Sequence, residues 1–80
     1  MKIPVIKALV EAYTIDQLHA AEDALLNEQV LPIAIDGDDE GEQLTHILAA
    51  IWIQHQMEHQ SVNFNSALRQ YTVRVRTSIS

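Results

Sequence analysis

His55-Gln56-Met57-Glu58-His59 carries the H-x-x-E-H spacing of inverted zinc hydrolases. On a helix, histidines four residues apart share a face and can hold one metal, and Glu58 could activate a bound water. Catalytic zinc also needs a third protein ligand and a substrate cleft, and only 21 residues follow His59 in this 80-residue chain. His55 and His59 moreover continue the apolar stripe Leu44, Leu48, Ile51 and Trp52. That continuity favours two structural histidines closing the end of a core. Metal binding by His55, Glu58 and His59 stands as the alternative.

Asp36-Gly37-Asp38-Asp39-Glu40-Gly41 matches the first half of a calcium loop, with acids at positions 1, 3 and 5 and Gly at 6. The match then fails, because position 12 is Ile47, where a bidentate Glu belongs. The segment reads instead as a solvated turn whose acids favour the positive end of the next helix. Glu-x-x-His, the signature of di-metal sites in helical bundles, does not occur. The absence of cysteine excludes disulfides, thiol catalysis and cysteine-based metal sites. Two isolated glycines cannot build a phosphate loop, a dinucleotide fingerprint or a nucleophile elbow. No catalytic residue and no cofactor are expected, and the chain reads as a non-enzyme.

Eleven acids against five bases give a formal charge of -6, which disfavours nucleic acid as a partner. The charges are segregated. Residues 11–58 hold every acid and no Lys or Arg, whereas Lys2 and Lys7 lie before that stretch and Arg69, Arg74 and Arg76 after it. The opposite blocks can meet if the ends fold across the middle, or if two chains pair antiparallel. The longest uninterrupted apolar run is seven residues, Ile47 to Ile53, far short of the roughly 20 that span a bilayer. The N-terminal residues lack the long apolar region of a secretory signal. No membrane association and a cytoplasmic location are expected.

With 48% hydrophobic and 20% charged residues, the composition is that of one globular domain over residues 1–80. A chain this short buries only about 60% of the surface its unfolded form exposes, so an efficient helical core, a metal or a second copy must supply the rest. Pro4 suits a first helical turn, after which Ile6, Leu9, Val10 and Tyr13 recur at helical spacing. Thr14-Ile15-Asp16-Gln17 has capping-box form. It opens a second helix with Leu18, Ala21, Leu25 and Leu26 on its apolar stripe, fading near Asn27 or Gln29. Val30 to Ile35 reads as an extended connector on the core, since Pro32 removes a ladder donor.

The third helix, from about Glu42 to Gln60, is apolar on two sides. Leu44, Ile47, Leu48, Ile51 and Trp52 form one stripe, and His46, Ala50, Ile53 and Met57 form the other. The first is expected to face the core and the second, His46, Ala50, Ile53 and Met57, a second copy. The last segment fits two periods. Tyr71 to Thr77 alternates like a strand, yet Leu68, Tyr71, Thr72, Val75 and Ile79 also share a helical stripe, with an N-cap at Asn65-Ser66 and a staple from Phe64. Helix is favoured, and a C-terminal strand in an α+β fold remains the alternative.

The ordering Lys2-Ile3-Pro4-Val5-Ile6-Lys7, then Gly41-Glu42-Gln43-Leu44 running into Ile51 to Glu58, then Ser66-Ala67-Leu68 through Arg76 and Ile79 resembles a family of short bacterial proteins of unknown function. The resemblance spans most of the chain. It implies an all-helical fold of about this length and transfers no catalytic residue. The expectation is an all-α bundle of three to four short helices around a central two-sided helix. Its expected role is that of an interaction module acting as a homodimer, with another protein as a further conceivable partner.

Overall fold

The structure, a computed structural model, describes residues 1–79, with side-chain surroundings through Thr77. It is all-α, and no strand occurs among the described residues. Helix α1 runs Ile3–Ala12, α2 Ile15–Leu26, α3 Glu40–Gln60 and α4 Phe64–Ile79. The four-helix outcome settles the C-terminal segment as helix. The side chain of Ile79, assigned to its stripe, lies outside the described residues.

Each boundary has a local cause. Pro4 sits in the first turn of α1, where no intrahelical N–H is required. At the other end of α1, the Gln54 side-chain amide donates through Nε2 to the carbonyls of Val10 (3.2 Å) and Tyr13 (2.8 Å). At α2 the expected capping box is complete. The Gln17 N–H donates to Thr14 Oγ1 (3.2 Å), and the Thr14 N–H donates to Gln17 Oε1 (2.9 Å). The helix closes with Glu28 in the left-handed region (φ 56°), the Glu28 N–H on Leu25 O and the Gln29 N–H on Ala24 O. Those bonds make a Schellman closure without its usual glycine.

Helix α3 begins two residues before the expected Glu42. Asp39 Oδ1 accepts the Glu42 N–H at 2.7 Å and so acts as N-cap. In return, Glu42 Oε1 accepts the Asp38 N–H at 2.7 Å. Gly37 is needed just upstream: a Cβ there would lie 2.8 Å from the Gln43 backbone nitrogen. The cap of α4 also moves from its expected place, because Asn63 rather than Asn65-Ser66 does the capping, with Asn63 Oδ1 accepting the Ser66 N–H at 2.9 Å. Within α4, the hydroxyls of Thr72 and Thr77 donate to Leu68 O (2.9 Å) and Val73 O (2.8 Å). These i to i−4 bonds hold strand-favouring residues in a helix.

Helix α3 is the hub. Helices α1, α2 and α4 each pack on it, and every substantial helix–helix contact involves it. The core is Ile6, Leu9 and Val10 of α1, Leu18 and Ala21 of α2, Ile35 of the connector, Ile47, Ala49, Ala50 and Ile53 of α3, and Ala67 of α4. Alanines at the crossings let the helix backbones approach closely. On α2 the apolar stripe is shifted: Ala24 is buried, while Leu26, expected inward, is 60% exposed. The connector packs through Ile35 and partly through Leu31 and Ile33, whereas Val30 projects outward. The accessible surface of 5160 Å² is close to the about 4,900 Å² that a monomer of this mass presents. One chain therefore covers its own core.

Candidate functional site

The α3 stripe expected to face a second copy is buried within this chain, and the stripe expected to face the core is divided: Ile47 is 0% exposed, Ile51 and Trp52 pack partly against the core, and Leu48 is 42% exposed. His46, Ala50 and Ile53 are 0% exposed and Met57 is half-buried, so the stripe assigned to a second copy is the core of this chain. The reason is volume. Ala49 and Ala50 leave room on this face for α1, α2 and the connector to pack close, and the bulky opposite face is not covered in the same way.

His46 makes the core face specific. Its Nδ1 meets the carbonyl oxygen of Asp36 at 2.8 Å, and its Nε2 meets the backbone N–H of Lys2 at 2.9 Å. A nitrogen facing a carbonyl must carry the proton and one facing an N–H must not, which sets the neutral Nδ1–H tautomer. One buried ring thus ties the start of α1 and the end of the connector to α3. Around it, Lys2 Nζ lies 3.4 Å from Asp38 Oδ1 and 3.7 Å from Glu42 Oε1. The Asp38 N–H holds the Glu42 carboxyl below the usual carboxylate range against some desolvation, and the charge of Lys2 adds to this. Lys2 is in turn raised, chiefly by its hydrogen bond to Asp38 and that carboxylate's charge.

The opposite side of α3 lines an open groove of about 460 Å³ between α2 and α4. Leu48, Ile51, Trp52, His55 and Gln56 form its floor, His19 of α2 one wall and Tyr71 of α4 the other. Leu48 is 42% exposed there. Trp52 and Tyr71 are tilted against each other with ring centroids 5.7 Å apart, and the Arg74 guanidinium stands 5.8 Å from the Trp52 ring. Burial pushes the Tyr71 hydroxyl up, opposed by the charge of Arg74. Past His55 the groove meets a polar cleft of about 370 Å³ lined by Thr14, Ile15, Asp16, His55 and Glu58. On the α2 wall, His19 Nδ1 is 3.2 Å from Glu22 Oε1.

The zinc-like triplet lies in the last turns of α3. The rings of His55 and His59 stack at 4.1 Å with planes 21° apart. Coordinating lone pairs lie in the ring planes, so stacked rings send them side by side instead of toward one point. Glu58 faces the cleft toward α2. Among the described residues no three His, Cys, Asp or Glu side chains group as a metal site, and this includes the half calcium loop. In that loop Asp39 caps α3 and the Asp36 carbonyl accepts from His46.

Sequence reasoning missed the groove because it assigned Leu48, Ile51 and Trp52 wholly to the core, whereas Ile51 and Trp52 pack against it only in part and Leu48 is exposed. A signal was available: the Leu48–Trp52 stripe runs into His55 and Gln56, both polar, whereas the His46 stripe is interleaved with alanines. Among the described residues no helix is long and apolar enough to cross a membrane.

Comparison with known families matches residues 1–80 to a family of unknown function, DUF6952, and the chain belongs to that family. The whole-chain match agrees with the resemblance read from the sequence. No curated protein and no solved structure matches the chain.

Proposed function

For this member of the family, we propose the role of a non-enzymatic interaction module that works as a homodimer, with the groove between α2, α3 and α4 as the contact surface. One observation carries the reading. The chain buries His46, Ala50 and Ile53 on one side of its central helix and leaves Leu48, Ile51, Trp52 and Tyr71 around an open groove on the other. Concave, mostly apolar surfaces with aromatic linings are where small proteins engage partners. The titratable lining groups fit recognition better than catalysis. His19 is bonded to Glu22, and among the described residues neither His55 nor Tyr71 is hydrogen-bonded to a nucleophile.

A stable dimer of standard size buries about 800 Å² per protomer, roughly one sixth of the surface of this chain. The groove supplies the apolar centre, and the flanks of α2 and α4 supply the rim. Size-exclusion chromatography with light scattering, over low to high micromolar concentration, tests the reading. A dimer is expected, and Leu48→Glu should convert it to folded monomer, because a buried unpaired charge is costly in the interface and harmless at a site 42% exposed in the single chain. A parent protein monomeric throughout, or a Leu48→Glu dimer as tight as the parent, overturns it.

A further inference from the structure

We infer that the surface entering the groove is the outer face of α4 from the second copy, the stripe Arg69–Val73–Arg76. This rests on the homodimer reading and names the occupant. The charges of the chain are only partly reconciled by its fold. At the N-terminal end, Lys2 reaches Asp38 and Glu42. At the C-terminal end, Arg69 and Arg76 are exposed, and among the described residues neither pairs with a carboxylate. Asp16 and Glu58, which line the cleft continuing the groove, also lack an ion-pair partner among the described residues. One molecule thus displays unpaired cations on α4 and unpaired acids beside the groove. Folding the ends across the middle pairs Lys2 and leaves Arg69 and Arg76 without a carboxylate among the described residues, so pairing of two chains is left for these two.

The shapes agree with the charges. Val73 is 54% exposed and sits between the two arginines, four residues after Arg69 and three before Arg76, so the three side chains share a face. From Arg69 to Arg76 the helix rises about 10 Å. The groove floor from Leu48 to His55 is the same seven-residue step, and Glu58 lies one turn beyond. An apolar residue with a cation on either side therefore meets an apolar floor that has carboxylates at its His55 end. Each chain carries both halves, so a twofold dimer satisfies both at once.

The absence of cysteine makes a clean test possible. Gln56→Cys chains mixed with Val73→Cys chains under mild oxidation should form the mixed disulfide in preference to either self-linked product, since Gln56 lines the groove at its carboxylate end. In parallel, Arg69→Glu/Arg76→Glu should weaken the dimer at least tenfold while circular dichroism stays helical, because attraction at both sites becomes repulsion. Adding Asp16→Lys/Glu58→Lys to that chain should restore the dimer. If Leu48→Glu dissociates the dimer but the arginine reversals and the Val73→Cys link have no effect, the groove is the interface and α4 is not its occupant. If the parent chain never dimerises, the homodimer reading itself falls.

Discussion

Replacing His46 by Phe keeps the ring and removes both nitrogens. The Lys2 N–H and the Asp36 carbonyl then lose partners at 2.9 and 2.8 Å. A buried polar group left unpaired costs about 1–3 kcal/mol. Both bonds are only partly buried, which places each near about 1 kcal/mol, or about 2 kcal/mol together. Phe relieves the desolvation of the imidazole and returns part of that, so the net loss is about 1–2 kcal/mol. Domains of this length hold about 4–12 kcal/mol in all, and each 1 kcal/mol lowers Tm by about 4–8 °C. His46→Ala adds a cavity on the core face and should lose a further about 2 kcal/mol. Urea titration of dilute protein suits the measurement. Trp52, the single tryptophan, reports fluorescence from the α3–α4 seam, and circular dichroism reports the helices. If the Phe variant matches the parent within about 0.5 kcal/mol while the Ala variant does not, His46 serves as volume alone and its bonds to α1 and the connector carry no stability.

Three further outcomes are expected. Ile53→Ala should lose about 2–5 kcal/mol in urea unfolding, whereas Leu48→Ala, on the open side, should lose less than about 1 kcal/mol and weaken self-association instead; equal losses would contradict the core assignment. Thr14→Ala removes half of a capping box and should cost about 1 kcal/mol, read as a lower Tm. Glu42 has its carboxyl pKa lowered by folding, so its contribution is present above the unfolded carboxyl value and is lost as pH falls through the lowered one. Acid titration of stability below about pH 4 should therefore be steeper for the parent than for Glu42→Gln, and matching curves would remove Glu42 as the source.

The local parts of the fold were legible. Pro4, the Thr14–Gln17 box and the acids before α3 act through neighbours within one turn, so their residue types suffice. The end of α2 was approximately placed although its left-handed residue is Glu28, where no glycine marks the closure. Residue 61, also left-handed at φ 55°, is a serine and gives no more warning. The ambiguity of α4 was real: its β-branched residues alternate, and the hydroxyl bonds that settle the matter appear only once a helix exists. The second stripe of α3 was misplaced because a hydrophobicity pattern shows that two faces are apolar without showing how much of each the rest of the chain reaches. That choice depends on contacts 36 to 44 residues apart, such as Lys2 with Asp38 and His46, and Gln54 with Val10. The groove was missed for the same reason, being assembled from three separate helices, with only the polar His55 and Gln56 at the end of the stripe to mark it.

Because α1, α2 and α4 each lean on α3 and hardly on one another, the energetics divide into three nearly independent seams. Substitutions at different seams should sum, since sites without shared partners couple weakly. Each outer helix is then free to drift in sequence on its own, answerable only to the strip of the hub it touches, and the hub alone must satisfy three neighbours together.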